Sequence, residues 1–86
     1  MTVRLRSDEV QWKELDDEIF VLDSKEGTYL AINGSGAVLW PALAAGATRE
    51  ELVKSLVDTY RIDEQVAARD ADAFVASLEA RGLLAA

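Results

Sequence analysis

The sequence predicts a small α+β domain in which three antiparallel strands precede three helices. Three observations carry that expectation. Alternating or β-rich apolar runs are confined to the residues before Asn33. Apolar residues at helical spacing take over after Gly34. The joints between the later segments are a few residues long and furnished with helix-capping residues.

Taken in order, Met1 to Glu9 carries Val3 and Leu5 in alternation and is expected as a short strand or an arm. Val10 to Leu15 alternates apolar and polar, the period of a half-buried strand. Asp16-Asp17 is a polar turn, and Ile19-Phe20-Val21-Leu22 is a second, fully apolar strand. Asp23 to Gly27 turns the chain, with Gly27 free to take a positive φ. Thr28 to Ile32, rich in β-branched and aromatic residues, is the third strand of a meander.

Asn33 or Ser35 is placed to cap a first helix running from Gly36 to about Ala44. Val38, Leu39, Trp40 and Leu43 give it an apolar side, and Pro41 lies too deep for a first-turn proline, so a short or kinked helix is expected. Thr48-Arg49-Glu50-Glu51 has the form of a capping box. The second helix follows to about Tyr60, with Leu52, Val53, Leu56, Val57 and Tyr60 on one face. Asp63 caps a third helix that reaches about Arg81, with Ala67, Ala71, Phe74 and Leu78 as its core stripe and Val75 at the edge. Gly82 is placed for a left-handed C-cap with Leu83 packing back. Trp12 and Trp40 are expected in the core. Two capped helices with a tight joint beside a β-hairpin make a winged helix-turn-helix. The Ala-rich third helix can approach the sheet closely, so a groove is expected along the third strand and that helix.

Composition narrows the function. The 86 residues predict one domain, 1–86, and 50% are hydrophobic, enough for one modest core. There is no cysteine and no histidine, so thiolate chemistry and the usual neutral-pH base are both missing. The Asp16-Asp17-Glu18 run lacks the ligand spacing of a calcium loop. No metal, cofactor or catalytic residue is expected, and no two of the remaining reactive side chains sit at a telling spacing. No apolar run has the length of a membrane span and the N-terminus has no signal-peptide block, so a soluble cytoplasmic protein is expected. The net charge of −7 sets the surface against nucleic acid and anionic lipid. From Glu64 to Arg81 the third helix holds two basic and four acidic residues, the wrong sign for a DNA recognition helix.

One set of residues in one order runs through nearly the whole chain from Val10 onward. It comprises Trp12, Val21-Leu22-Asp23, Gly27-x-Tyr29-x-x-Ile32-Asn33, Ala37-x-x-Trp40 and Gly46-x-Thr48. It continues with Leu56, Tyr60, Asp70, Phe74, Leu78 and Gly82-Leu83-Leu84. This order resembles the PqqD-like proteins, also called recognition elements of ribosomally synthesised and modified peptides. Within them it is similar to the stand-alone form of lasso-peptide biosynthesis. Ile32 departs from the family's usual Leu before Asn, and Pro41 after the Trp is a second departure. The resemblance implies that the protein binds the leader segment of a precursor peptide, which in the lasso group usually carries a Tyr-x-x-Pro element. The leader would add as a strand to the third strand beside the third helix. The protein would present it to a separate leader peptidase and a separate macrolactam-forming cyclase, without catalysis of its own.

The physics of such binding is β-augmentation, in which main-chain bonds give affinity and side-chain pockets give register. Thr28, Tyr29, Leu30, Ala31 and Ile32 include no proline or lysine to guard the edge. Tyr29 and Ala31 are expected as groove walls, with Leu30 and Ile32 as core residues that lend only backbone. Val66, Asp70, Asp72, Val75 and Ala76 are expected along the flanks of the helix, the acidic residues holding a Lys or Arg of the leader. A groove of this kind typically supports binding at ~1 μM or tighter. Sequence leaves one rival open, a module that docks on a partner enzyme without touching a peptide.

Overall fold

The computed structural model describes residues 2–85; Met1 of the expected arm and Ala86 at the end of the expected domain lie outside them. The elements are β1 (Thr2–Val3), β2 (Val10–Leu15), β3 (Glu18–Asp23), β4 (Thr28–Ile32), α1 (Ser35–Ala45), β5 (Ala47–Thr48), α2 (Arg49–Tyr60) and α3 (Glu64–Ala80). The expected meander is the antiparallel sheet β2-β3-β4, and three helices follow it.

Turn chemistry sets the register of that sheet. Asp16 and Asp17 take φ of 52° and 67°, the pair of left-handed residues that a type I′ turn requires. A two-residue hairpin results, with Leu15 opposite Glu18. At the next turn the Asp23 carboxylate accepts from the Lys25 and Glu26 amides at 3.1 and 3.4 Å, and Gly27 takes a φ of 69°. Thr28 therefore returns opposite Asp23.

The core lies between one face of the sheet and the helices. Ile19, Val21 and Ile32 meet Leu39, Trp40 and Leu43 of α1, Leu52 and Leu56 of α2, and Ala67, Ala71 and Leu78 of α3. Trp40 is fully buried. Trp12, expected in the core, is 41% exposed because it sits on the far edge strand, where it meets the Trp40 ring edge to face at 6.1 Å.

The helix ends follow the expected chemistry with one exception. Glu51 N donates to Thr48 Oγ1 and Thr48 N to Glu51 Oε1, the reciprocal capping box. Asp63 Oδ1 accepts from Gln65 N at 2.7 Å. At the end of α3, Gly82 N donates to Glu79 O and Leu83 N to Leu78 O, with Gly82 at φ 71°, which is a Schellman motif. The exception is α1. Neither Asn33 nor Ser35 caps it; Gly34 does, at φ 62° and ψ −139°, with no side-chain cap bond. That backbone conformation suits a residue without a Cβ. The helix, expected short or kinked from Gly36 to about Ala44, runs eleven residues, Ser35–Ala45, with Pro41 inside it.

The N-terminal arm is the feature sequence left unplaced. β1 pairs with β5, and Leu5 bridges to Leu84. Leu5 N donates to Leu43 O, Arg6 N to Leu83 O and Ala85 N to Arg4 O. The arm ends in a buried ion pair, Arg6 Nη2 lying 2.7 Å from Asp23 Oδ1. It thus ties the β3–β4 turn to the residues that follow α3.

Candidate functional site

Among the described residues β4 has a neighbour on one side only, so its other side is an open edge. Which groups that edge presents follows from the hairpin turns. Leu15 and Glu18 close the two-residue turn as a hydrogen-bonded pair, so Glu18, Phe20 and Leu22 bond towards β2. The bond from Ser24 N to Glu9 O, 2.9 Å, continues the same alternation. Ile19, Val21 and Asp23 must then bond towards β4, to Ile32, Leu30 and Thr28. The N–H and C=O groups of Tyr29 and Ala31 are left pointing outward along the free edge.

Beside this edge lies a cleft of about 490 Å³. Its sheet side is formed by Leu30, Ala31 and Ile32, continuing to Asn33, Ser35 and Gly36. Its helix side is formed by Asp70, Ala73, Phe74, Ser77, Leu78 and Arg81. Gly36 makes the close approach possible. A Cβ there would stand 2.7 Å from Ile32 Cγ2 and 2.8 Å from Phe74 Cε1. That contact sets Phe74 beside the end of β4. The arm sets the other end of α3, since Arg6 bonds both Leu83 and Asp23, and Asp23 lies opposite Thr28. β4 and α3 therefore run in opposite senses along the cleft.

The site residues expected from sequence divide on this geometry. Leu30, Ala31, Ile32 and Asp70 line the cleft, and Thr28 and Tyr29 belong to the same open strand, but the expected roles are exchanged. The Leu30 and Ile32 backbones are bonded to β3 and lend nothing to the edge. Ala31 meets the edge through backbone, because its side chain shares the outward face of Tyr29. Val66 is exposed one helical turn before Asp70 and does not reach the cleft lining. The Tyr29 side chain is no groove wall. It is 67% exposed on the outward face of the sheet against Phe20, because strand side chains alternate, and only its backbone meets the edge. Asp72, Val75 and Ala76 lie on the other flank of α3, bordering a separate depression with Leu52 and Arg49 of α2. At about 100° per residue, that flank turns away from the stripe of Asp70, Phe74, Ser77 and Arg81. The Asp72 carboxylate is bonded there by Arg49, with Nε and Nη2 at 2.8 and 2.9 Å. The Arg49 hydrogen bond holds the Asp72 carboxyl below its ordinary pKa. Asp72 thus has a cation already and faces away from the cleft.

Sequence reasoning passed over Asn33, Ser35, Gly36, Ala73, Ser77 and Arg81 as cleft residues, and placed Phe74 and Leu78 in the core stripe although both also line the cleft. The signal for Ser77 and Arg81 is helical spacing, since both fall on the stripe that contains Asp70 and Phe74.

A family model described as coenzyme PQQ synthesis protein D (PqqD) matches residues 18–84, from the start of β3 to the bridge at Leu84. The chain belongs to the PqqD family. Two solved structures are similar to this PqqD-family chain over nearly its full length. One is TbiB1 in complex with the TbiA(beta) leader peptide, at TM-score 0.86 and 31% identity, covering 94% of this chain and 93% of that one. The other is lasso peptide synthetase B1 complexed with the leader peptide, at TM-score 0.83 and 27% identity, covering 98% of each chain. No curated protein matches the chain. Most residues that carry the PqqD resemblance hold the frame: Asp23 shapes a turn, Thr48 caps α2 and Gly82-Leu83 closes α3. Ile32-Asn33, Asp70, Phe74 and Leu78 are those that reach the cleft.

Proposed function

We propose that this chain binds the leader segment of a ribosomally made precursor peptide of the lasso class, adding it as a strand to β4 beside α3. The observation that carries the reading is the open β4 edge above a cleft walled by α3. The fold is shared with two proteins solved with leader peptides. Tyr29 and Ala31 supply the edge bonds, and alternate leader side chains drop into the cleft over Phe74 and Leu78. The chain makes no bond itself; it presents the leader to a separate peptidase and a separate macrolactam-forming cyclase. Binding near ~1 μM suits a carrier that must release its precursor after each turnover.

A second reading, docking on an enzyme without peptide contact, is favoured by exposed Leu15, Leu22 and Tyr29 on the outward sheet face. The two separate in one titration. A labelled leader from the precursor encoded in a neighbouring reading frame should bind the native chain and bind Ala31→Pro at least about tenfold more weakly. Equal affinity for both, with the circular dichroism melt unchanged, would overturn strand addition.

A further inference from the structure

Resting on the leader-binding reading, we propose that the cleft selects charge order: it takes an extended peptide with a basic residue towards its N-terminus and an acidic residue towards its C-terminus. The cleft has one acidic and one basic side chain, Asp70 and Arg81, both exposed. Among the described residues neither enters an ion pair, whereas Asp23, Asp58 and Asp72 all do. They stand at opposite ends of the helix wall. Asp70 lies towards the Asn33–Gly36 end of the strand and Arg81 towards the Thr28 end, because Phe74 meets Gly36 while the Leu83 segment is tied through Arg6 to Asp23. A guest strand continues an entirely antiparallel sheet, and antiparallel pairing is slightly more stable per residue. It therefore runs opposite to β4 and along α3, meeting Asp70 first and Arg81 last.

The spacing follows from the two rises. Position 70 to position 81 on the helix is about 16 Å at 1.5 Å per residue. An extended strand covers that in about five residues. Only alternate residues face the helix, so the two charges of the guest fall about four or six positions apart, with apolar side chains between them over Phe74. Asp70 thus contributes specificity rather than the bulk of the affinity, since exposed charge pairs are individually weak and main-chain bonds are not sequence-selective.

The test is a selection from a display library of random unstructured peptides long enough to span β4. It is run against the native chain, the Ala31→Pro chain, and a charge-swapped chain carrying Asp70→Lys and Arg81→Glu. Peptides that bind the native chain and lose binding to Ala31→Pro should be enriched in basic-then-acidic pairs at the stated spacing. The swapped chain should enrich the reverse order, with a preference of roughly tenfold at low salt that shrinks at high salt. Edge-dependent peptides without charge order, selected alike by native and swapped chains, would overturn this inference and leave strand addition standing. Absence of any edge-dependent peptide would overturn both. Both exchanged side chains are exposed, so the swapped chain should melt like the native one, and that melt is recorded alongside.

Discussion

Ala31 and Tyr29 turn their backbone groups to the free edge, and their side chains point away from it. A strand residue has two independent assignments, the face its side chain takes and the edge its amide takes. At Ala31 the amide looks along the free edge, so Ala31→Pro removes a donor without touching β3. The small residue at Gly36 matters for a different reason. Gly36→Ala would drive a methyl into Ile32 Cγ2 and the Phe74 ring, at 2.7 and 2.8 Å. It should cost about 1–3 kcal/mol in urea unfolding and weaken leader binding by pushing Phe74 into the cleft. Asp72 is the converse case. Asp72→Asn should leave leader affinity unchanged, since the carboxylate serves Arg49 on the other flank. The Asp72 carboxyl is held low in the folded state by the Arg49 hydrogen bond, so its stabilisation is present above the ordinary carboxylate range. That contribution fades as pH falls through the depressed value, below about pH 4. Melting curves of native and Asp72→Asn chains should differ slightly at neutral pH and converge in acid. The alternation of Leu30 and Ile32 against Tyr29 was legible from sequence. The flank of α3 facing the strand was not, because Val66, Asp70 and Asp72, Val75 fringe the same apolar stripe on opposite sides. Only the placement of β4 decides between them.

At the level of elements, boundaries were legible where a residue satisfies a backbone group that would otherwise be orphaned. The capping box at Thr48, the Asp63 cap and the Gly82 terminus each fix a helix end within a residue. Gly82→Ala should therefore cost about 1 kcal/mol in urea unfolding, because φ at that position is 71° and a Cβ is strained there. Thr48→Ala should cost a similar amount, about 1 kcal/mol, by releasing the Glu51 amide. α1 was less legible, since its cap is a glycine backbone conformation and not a side-chain bond. The β1–β5 pair escaped reading altogether. Two-residue strands carry no period, and their partners are more than forty positions apart in sequence.

For the molecule as a whole, the fold places an antiparallel sheet with one open edge against the last helix, and the arm bonds both the β3–β4 turn and the residues after α3. Its bond to the turn is the Arg6–Asp23 pair, with the Asp23 side chain 3% exposed. Breaking it strands a buried charge, so Arg6→Ala should lower stability by about 3 kcal/mol and loosen β4 against α3. Leader affinity should fall with it, whereas Lys54→Ala, which breaks an exposed pair of α2, should change neither. Sequence order was enough to name three strands, three helices and a groove at their junction; the arm that joins the two sides was visible only as alternating Val3 and Leu5. The central claim is that the backbone of Tyr29 and Ala31 is vacant until a leader strand completes the sheet. Amide hydrogen exchange, with and without the leader peptide, tests it directly. In the free chain the amides of Leu30 and Ile32 should be protected and those of Tyr29 and Ala31 should exchange fast. Saturating leader should bring Tyr29 and Ala31 into protection. Protection of both amides in the free chain, or fast exchange of both in the saturated complex, would contradict the account.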